Sequence, residues 1–293
     1  MNTQIRYNLL ALLTVAVWGV TFVSTKILLG AGLTPTWIFI VRFTIAYLCA
    51  LSLYHRKLWA DSFKDELAML AMGLTGGSLY FIAENSALQL TFASNVSLII
   101  CATPVLTMVL DSIIYRHRIH KRAFIGSVMA MGGVAIVVLN GSLNFHLNPL
   151  GDFLTLLAAL FWACYCMLLK AMNTRYSNLF ITRKVFFYGW LTAIIFSLHE
   201  PLPELRYNDS LLQIVLNLLF LGLIASFICY LAWNKAVKVL GPDRTANFIY
   251  LTPLITIIAS SIILEEPISF WLIAGGAIVI CGVYLTTKND MSK

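Results

Sequence analysis

The chain has 293 residues, of which 60% are hydrophobic and 11% charged, and its mean hydropathy is +0.85. A soluble domain carries about a quarter charged residues, so this composition excludes a water-soluble globular protein. The formal net charge of +7 does not point to nucleic acid, because the basic residues are spread over short connections between apolar runs.

Apolar runs of about 20 residues, the length that crosses a bilayer, predict ten helices from one end to the other. They lie at Leu9–Leu29, Thr36–Tyr54, Leu67–Leu88, Ala93–Ile114, Ala123–Leu139, Phe153–Met172, Ile181–Leu198, Leu211–Trp233, Ala246–Leu264 and Phe270–Thr286. The first is too long for a signal-peptide core and no small-residue cleavage site follows it, so it reads as helix 1 of the mature protein. It carries Thr14, Trp18, Thr21 and Thr25 on one face, then Lys26. Helix 2 holds Arg42. Helix 3 holds Tyr80 and Glu84 on one face with Asn85 beside them, and Glu84 is the only acid well inside a predicted span. Helix 4 contains Thr103-Pro104 and Thr107 at its middle and Asp111 near its cytoplasmic end. Helices 5 and 10 carry small residues (Gly126, Ala130, Gly132, Gly133, Gly275, Gly282) and almost no polar side chains. That pattern suits close helix packing and reads as scaffold or dimer surface. Helix 6 repeats the stripe of helix 1 with Thr155, Trp162 and Tyr165, then Lys170, and helix 9 presents Asn247, Tyr250 and Pro253.

Charge sets the topology. Arg56, Lys57 and Lys64 follow helix 2; Arg116, Arg118, Lys121 and Arg122 follow helix 4; Arg175, Arg183 and Lys184 follow helix 6. Lys235, Lys238 and Arg244 follow helix 8, and Lys288 and Lys293 follow helix 10. The opposite loops hold Arg206 and the acids Asp152, Glu200, Glu204, Asp209, Glu265 and Glu266. Basic loops stay cytoplasmic, so both termini are expected inside and the number of spans even.

The chain also aligns with itself. An offset of 149 residues places Asn85 on Asn234, Thr103-Pro104 on Thr252-Pro253, Thr107 on Thr256, Gly126 on Gly275 and Gly133 on Gly282. An offset of 144 places LLTVAVWGVTFVSTKI over LLAALFWACYCMLLKA, with Trp18 on Trp162 and Lys26 on Lys170. The fold expected is all-α: two five-helix repeats, residues 1–147 and 148–293, around a central cavity. Five spans is an odd number, so the second repeat is expected upside down. Inverted repeats give two states of nearly equal energy and are a common build of secondary transporters.

The helix 1 string AVWGVTFVSTK with its counterpart ALFWACYCMLLK resembles the drug/metabolite transporter superfamily, specifically its EamA-type permeases. The string ANFIYLTPLITIIASSIILEEPISFWLIAGGAIVICGVYL is similar to the family's repeated signature: a polar residue, a Thr-Pro, an acidic-Pro turn and a Gly-rich last helix. The resemblance covers nearly the whole chain. The first half departs from it in having Arg116-His117-Arg118 where an acidic turn is common. The resemblance implies export or import of amino acids and similar metabolites through a basket of helices.

The residues expected to touch a substrate are Trp18, Thr21, Tyr80, Glu84, Asn85, Trp162, Tyr165, Asn247 and Tyr250. A polar stripe in lipid must face protein or water, which leaves interhelical packing as the other reading of the threonines and tryptophans. An intramembrane carboxylate is costly and a functional candidate by default. Glu84 is expected to bind a substrate amine, carry a proton, or pair with Arg42 or Lys26. Lys26, Arg42 and Lys170 are expected as gating charges or ion pairs, with snorkelling to the interface the alternative for the two lysines. Pro104 and Pro253 each free a backbone carbonyl and are expected hinges or static kinks.

No cofactor or metal motif is present. The five histidines fall in loops or at helix ends, leaving no histidine proton relay, and all six cysteines fall in helices as small buried residues. Asn140-Gly141-Ser142 and Asn208-Asp209-Ser210 match glycosylation acceptors, which matter only in a secretory membrane. The partners expected are a small molecule, the lipid bilayer and a proton if transport is coupled, in a monomer or homodimer of a bacterial inner membrane. A nucleotide-sugar or drug carrier is the alternative within transport. A lipid-processing enzyme would need a catalytic constellation at the interface, and a receptor or structural protein gives no reason for the repeat.

Overall fold

The computed structural model describes residues 3–55, 57–91, 93–116, 118–139, 148–198, 200, 203, 211–263 and 270–287. Arg56, His117, His146, His199, Glu204, Arg206, Asp209, Glu265, Glu266, Lys288, Lys293 and both glycosylation triplets lie outside these residues.

The regular structure among the described residues is helical. In chain order it comprises α1 (Thr3–Gly30), α2 (Pro35–Leu53), α3 (Phe63–Leu90) and α4, which is broken into Ala93–Ile100 and Thr103–Tyr115. Then follow α5 (Lys121–Leu139), α6 (Pro149–Met172), α7 (Asn178–Ser197), α8 (Leu211–Leu240), α9 (Pro242–Ile263) and α10 (Phe270–Thr287). Seven of these (α1, α2, α3, α6, α7, α8 and α9) are long and apolar enough to cross a membrane, and the stretches Thr103–Tyr115 and Ile273–Thr286 are shorter apolar helices. The protein is a multi-pass membrane protein.

Local sequence explains where the helices begin. Thr34 accepts a hydrogen bond from Trp37 N at 3.3 Å ahead of Pro35, and Asn148 accepts from Gly151 N at 3.0 Å ahead of Pro149. Ser62 and Ser177 cap α3 and α7 the same way. Each cap satisfies a backbone donor the first turn leaves without a partner, and proline at N1 loses nothing.

The helices pack as α1 on α8 and α9, α2 on α7 and α8, and α3 on α6 and α7. Phe39, Phe43, Phe81, Phe186 and Tyr230 interlock at the centre, with neighbouring ring centroids 4.1–6.1 Å apart. α5 and α10 lie face to face along their small-residue stripes. A Cβ on Gly133 would sit 2.8 Å from Gly275 O and from Val279 N, so the stripe read as scaffold or dimer surface is occupied within the chain.

Two helices widen where the sequence reading expected regular helix. α3 loosens over Leu74–Ser78, with Gly77 at φ −130°, ψ −109°, and α8 loosens over Phe220–Ile228. Wider turns free backbone carbonyls for outside donors. Tyr230 OH donates to Gly76 O, and Trp18 Nε1 donates to Ala225 O at 2.9 Å. Gly76 and Ala225 are related by the same 149-residue offset that relates the two halves. Both prolines sit directly after a local irregularity. Pro104 sits in the first turn of Thr103–Tyr115 after the break in α4, and Pro253 follows the tight turn Asn247–Leu251 and opens Thr252–Ile263.

Candidate functional site

A cavity lies among α1, α2, α3, α4, α6 and α9. Its walls are apolar and aromatic: Trp18 and Phe22 from α1, Phe81 from α3, Ile100 from α4, Trp162 from α6 and Ile249 from α9. Its polar lining is Thr21, Arg42, Tyr80, Glu84, Thr103 and Thr252. One cation and one acid thus share a mostly apolar chamber.

Both charges are buried, Arg42 at 2% and Glu84 at 7% exposure, and both are half committed. Arg42 Nε donates to Ser226 Oγ at 3.0 Å, and its guanidinium carbon lies 4.2 Å from the centre of the Phe81 ring. Its terminal nitrogens bond to none of the described residues. Tyr80 OH donates to Glu84 Oε1 at 2.7 Å, while Oε2 has no partner among them. No ion-pair contact joins the two side chains, so the structural pair expected between them is replaced by two charges facing one space. Desolvating ions is costly unless they are paired or hydrogen-bonded, and here the second half of each remains free for a cargo. Two further cavity residues carry buried polar atoms without a partner among the described residues, Trp162 Nε1 and Thr103 Oγ1.

Of the residues read from the sequence, Trp18, Thr21, Arg42, Tyr80, Glu84 and Trp162 come together on this cavity. The tryptophans are not equivalent. Trp18 packs edge-on against Trp162 with centroids 5.2 Å apart, but its N–H is spent on Ala225 O, so it offers the cavity only its ring. Thr21 donates to Trp18 O at 2.7 Å and Thr14 to Leu10 O at 2.8 Å, so the threonine stripe is largely satisfied within its own helix.

Four expected contacts lie off the wall. Asn85 is a tether whose Nδ2 donates to Pro35 O at 3.2 Å. Tyr165 lies one turn beyond Trp162 and donates to Asn234 Oδ1 at 2.6 Å, and Asn234 in turn donates to Thr182 Oγ1 at 2.9 Å. Asn247 and Tyr250 are buried away from the chamber, and Tyr250 packs among Ala130, Val134, Val279 and Val283 of α5 and α10. The tight turn explains the shift: with three residues per turn, Ile249 and Thr252 share the cavity side instead.

Lys170 forms an ion pair. Its Nζ lies 2.6 Å from Asp111 Oδ1 and 3.8 Å from the centre of the Tyr115 ring, joining the ends of α4 and α6. Lys26 Nζ reaches Thr91 O at 3.4 Å. A second polar cluster, missed in the sequence, gathers at the start of α3. Lys184 and Tyr188 both bond Glu66 Oε1, Arg175 bonds Asp65 at 2.8 Å, and Arg183 donates to the carbonyls of Tyr54, Lys57 and Leu58 at 2.6–3.1 Å. Arg183 and Lys184 belong to α7 and are buried, not loop residues. Their signal was available as the third and fourth residues of the predicted span Ile181–Leu198, which opposes Asp65 and Glu66.

Comparison with known proteins agrees with this architecture. The chain is similar to a solved crystal structure with a TM-score of 0.75 at 16% identity, covering 97% of this chain and 96% of that one, a likeness of fold. It is 29% identical to an uncharacterized transporter of Archaeoglobus fulgidus across 97% of this chain and 98% of that protein. It is 27% identical to a probable amino-acid metabolite efflux pump of Salmonella typhimurium, across 94% and 93% respectively. A probable terminal-alkyne amino-acid exporter of Streptantibioticus cattleyicolor is 25% identical over 78% of this chain and 75% of its own. The model of the EamA-like transporter family matches twice, at residues 5–139 and 149–288. With both halves matched, the chain belongs to the EamA-like transporter family, a family of transporters and not of enzymes.

Proposed function

We propose that this protein carries a small zwitterionic metabolite, with amino acids first, across a bacterial plasma membrane by alternating access. Ten spans in two inverted five-helix halves, residues 1–147 and 148–293, with both ends of the chain cytoplasmic, are the topology this reading requires. The shorter helices of α4, α5 and α10 are then spans as well. Its support is the loop charge pattern together with the double family match.

The single observation that carries the substrate reading is the pairing of Arg42 and Glu84 across one buried apolar chamber. The free guanidinium nitrogens suit a carboxylate, which arginine binds through two donors. Glu84 Oε2 suits an ammonium, and the Trp18, Phe22, Ile100 and Ile249 walls suit an apolar side chain. A nucleotide diphosphate would bring two or more negative charges to a site with one cation among its described lining residues. The amino-acid exports named for relatives point the same way. Counterflow in proteoliposomes loaded with pooled amino acids and other metabolites tests the reading. Selective exchange of amino acids, absent from empty liposomes, is expected; exchange confined to cationic drugs or nucleotide sugars refutes it.

A further inference from the structure

The two halves are related in sequence, yet their hydrogen bonds are not symmetric. On α1, Trp18 Nε1 donates to Ala225 O at 2.9 Å in the wide turn of α8, and Gly19 O receives Thr256 Oγ1 of α9 at 2.9 Å. The sequence offsets carry Trp18 to Trp162, Gly19 to Ala163, Ala225 to Gly76 and Thr256 to Thr107. The matching bonds in the other half would be Trp162 Nε1 to Gly76 O and Thr107 Oγ1 to Ala163 O. Neither is made. Trp162 Nε1 and Thr107 Oγ1 are both buried polar atoms without a partner among the described residues.

A buried donor left unsatisfied costs more than a made bond gains, so two such orphans at the mates of two made bonds need a reason. Inverted repeats supply one, because the second state is approximated by letting each half adopt the other's conformation. We propose that the chain carries two matched latches on α1 and α6, that this state closes the α1 latch, and that the opposite-facing state closes the α6 latch instead. This rests on the transport reading above. The geometry permits the exchange: Gly76 O accepts from Tyr230 OH, and a carbonyl has a second lone pair for the Trp162 indole. Trp18 and Trp162 touch across the cavity, so each half's latch residue senses the other.

The test uses the full-length protein in lipid nanodiscs with ¹⁵N-labelled indoles, the Trp18 and Trp162 resonances being assigned with W18F and W162F. Thr256→Val removes a bond of this state, and Thr107→Val one of the opposite state, both keeping side-chain shape. The loss of one hydroxyl–carbonyl bond shifts a two-state ratio about fivefold. T256V is expected to raise the ratio of bonded Trp162 to bonded Trp18 by about that factor, and T107V to lower it similarly. Shifts of the same sign, or a Trp162 indole bonded in none of the proteins, overturn the proposal. Wild-type counterflow separates the two claims: no exchange of any pooled compound removes the transport reading, whereas exchange with unmoved indole ratios removes the latch exchange alone.

Discussion

The α5–α10 seam offers a sharp contrast between two adjacent glycines. A Cβ built on Gly133 meets Gly275 O and Val279 N at 2.8 Å and Val279 Cγ2 at 2.9 Å, and two of these are backbone atoms that cannot rotate away. A Cβ on Gly132 meets nothing within 4 Å. Gly133→Ala therefore has to push the helices apart by roughly half an ångström, and a gap of that size forfeits about a quarter of each dispersion contact. Overpacking of this kind costs about 1–3 kcal/mol. Gly132→Ala should instead gain about 0.5–1 kcal/mol from helix propensity. Thermal unfolding in one detergent is the assay, at about 2–4 °C per kcal/mol: G133A should melt several degrees below wild type and G132A at or above it. Equal melting of G133A and wild type would refute the packing of α5 on α10. So would a G132A loss as large as that of G133A.

Three further outcomes are expected. Asp111 and Lys170 should show a coupling of about 0.5–3 kcal/mol in a double-mutant cycle of D111N and K170M measured by unfolding; additive losses would show that the 2.6 Å contact carries no net energy. Arg183→Lys should loosen the 54–61 connection, because a lysine cannot hold three carbonyls with a planar fork. Limited proteolysis after Lys57 should then quicken at least severalfold, and an unchanged rate contradicts the tether. Tyr80→Phe removes the hydroxyl that fixes Glu84, and should raise KM for cargo about tenfold through a misplaced carboxylate while leaving the melting midpoint near wild type. A fall in stability without a change in KM would make Tyr80 structural only.

Much of this molecule was legible before its coordinates. The apolar runs marked a membrane protein, and the helix 1 and helix 9–10 strings its family. The repeated stripes of helices 1 and 6 pointed to Trp18 and Trp162, the lone embedded acid to Glu84 with Tyr80 on its face, and the embedded cations to Arg42. What stayed hidden follows from local geometry. The wide turns in α3 and α8 leave no strong mark in composition, since Phe220–Ile228 reads as ordinary apolar helix, yet they decide where Trp18 spends its N–H. The tight turn at Asn247–Leu251 rotates α9 so that Ile249 and Thr252 replace Asn247 and Tyr250 on the wall. Asn85 and Asn234 are polar residues inside helices whose role as tethers depends on neighbours far away in sequence. Phe22, Phe81 and Ile100 were invisible as site residues because apolar side chains in a membrane helix look alike whether they face lipid, core or cavity.

The central claim is that Arg42 and Glu84 read the two charges of one cargo. Its most direct test is competition of L-phenylalanine counterflow by L-phenylalanine itself, by phenethylamine and by 3-phenylpropionate, in wild type, Arg42→Gln and Glu84→Gln. The wild type should be blocked by the amino acid alone, R42Q should become sensitive to the amine, and E84Q to the acid. Equal competition by all three compounds in the wild type, or a selectivity that neither substitution moves, would contradict the account.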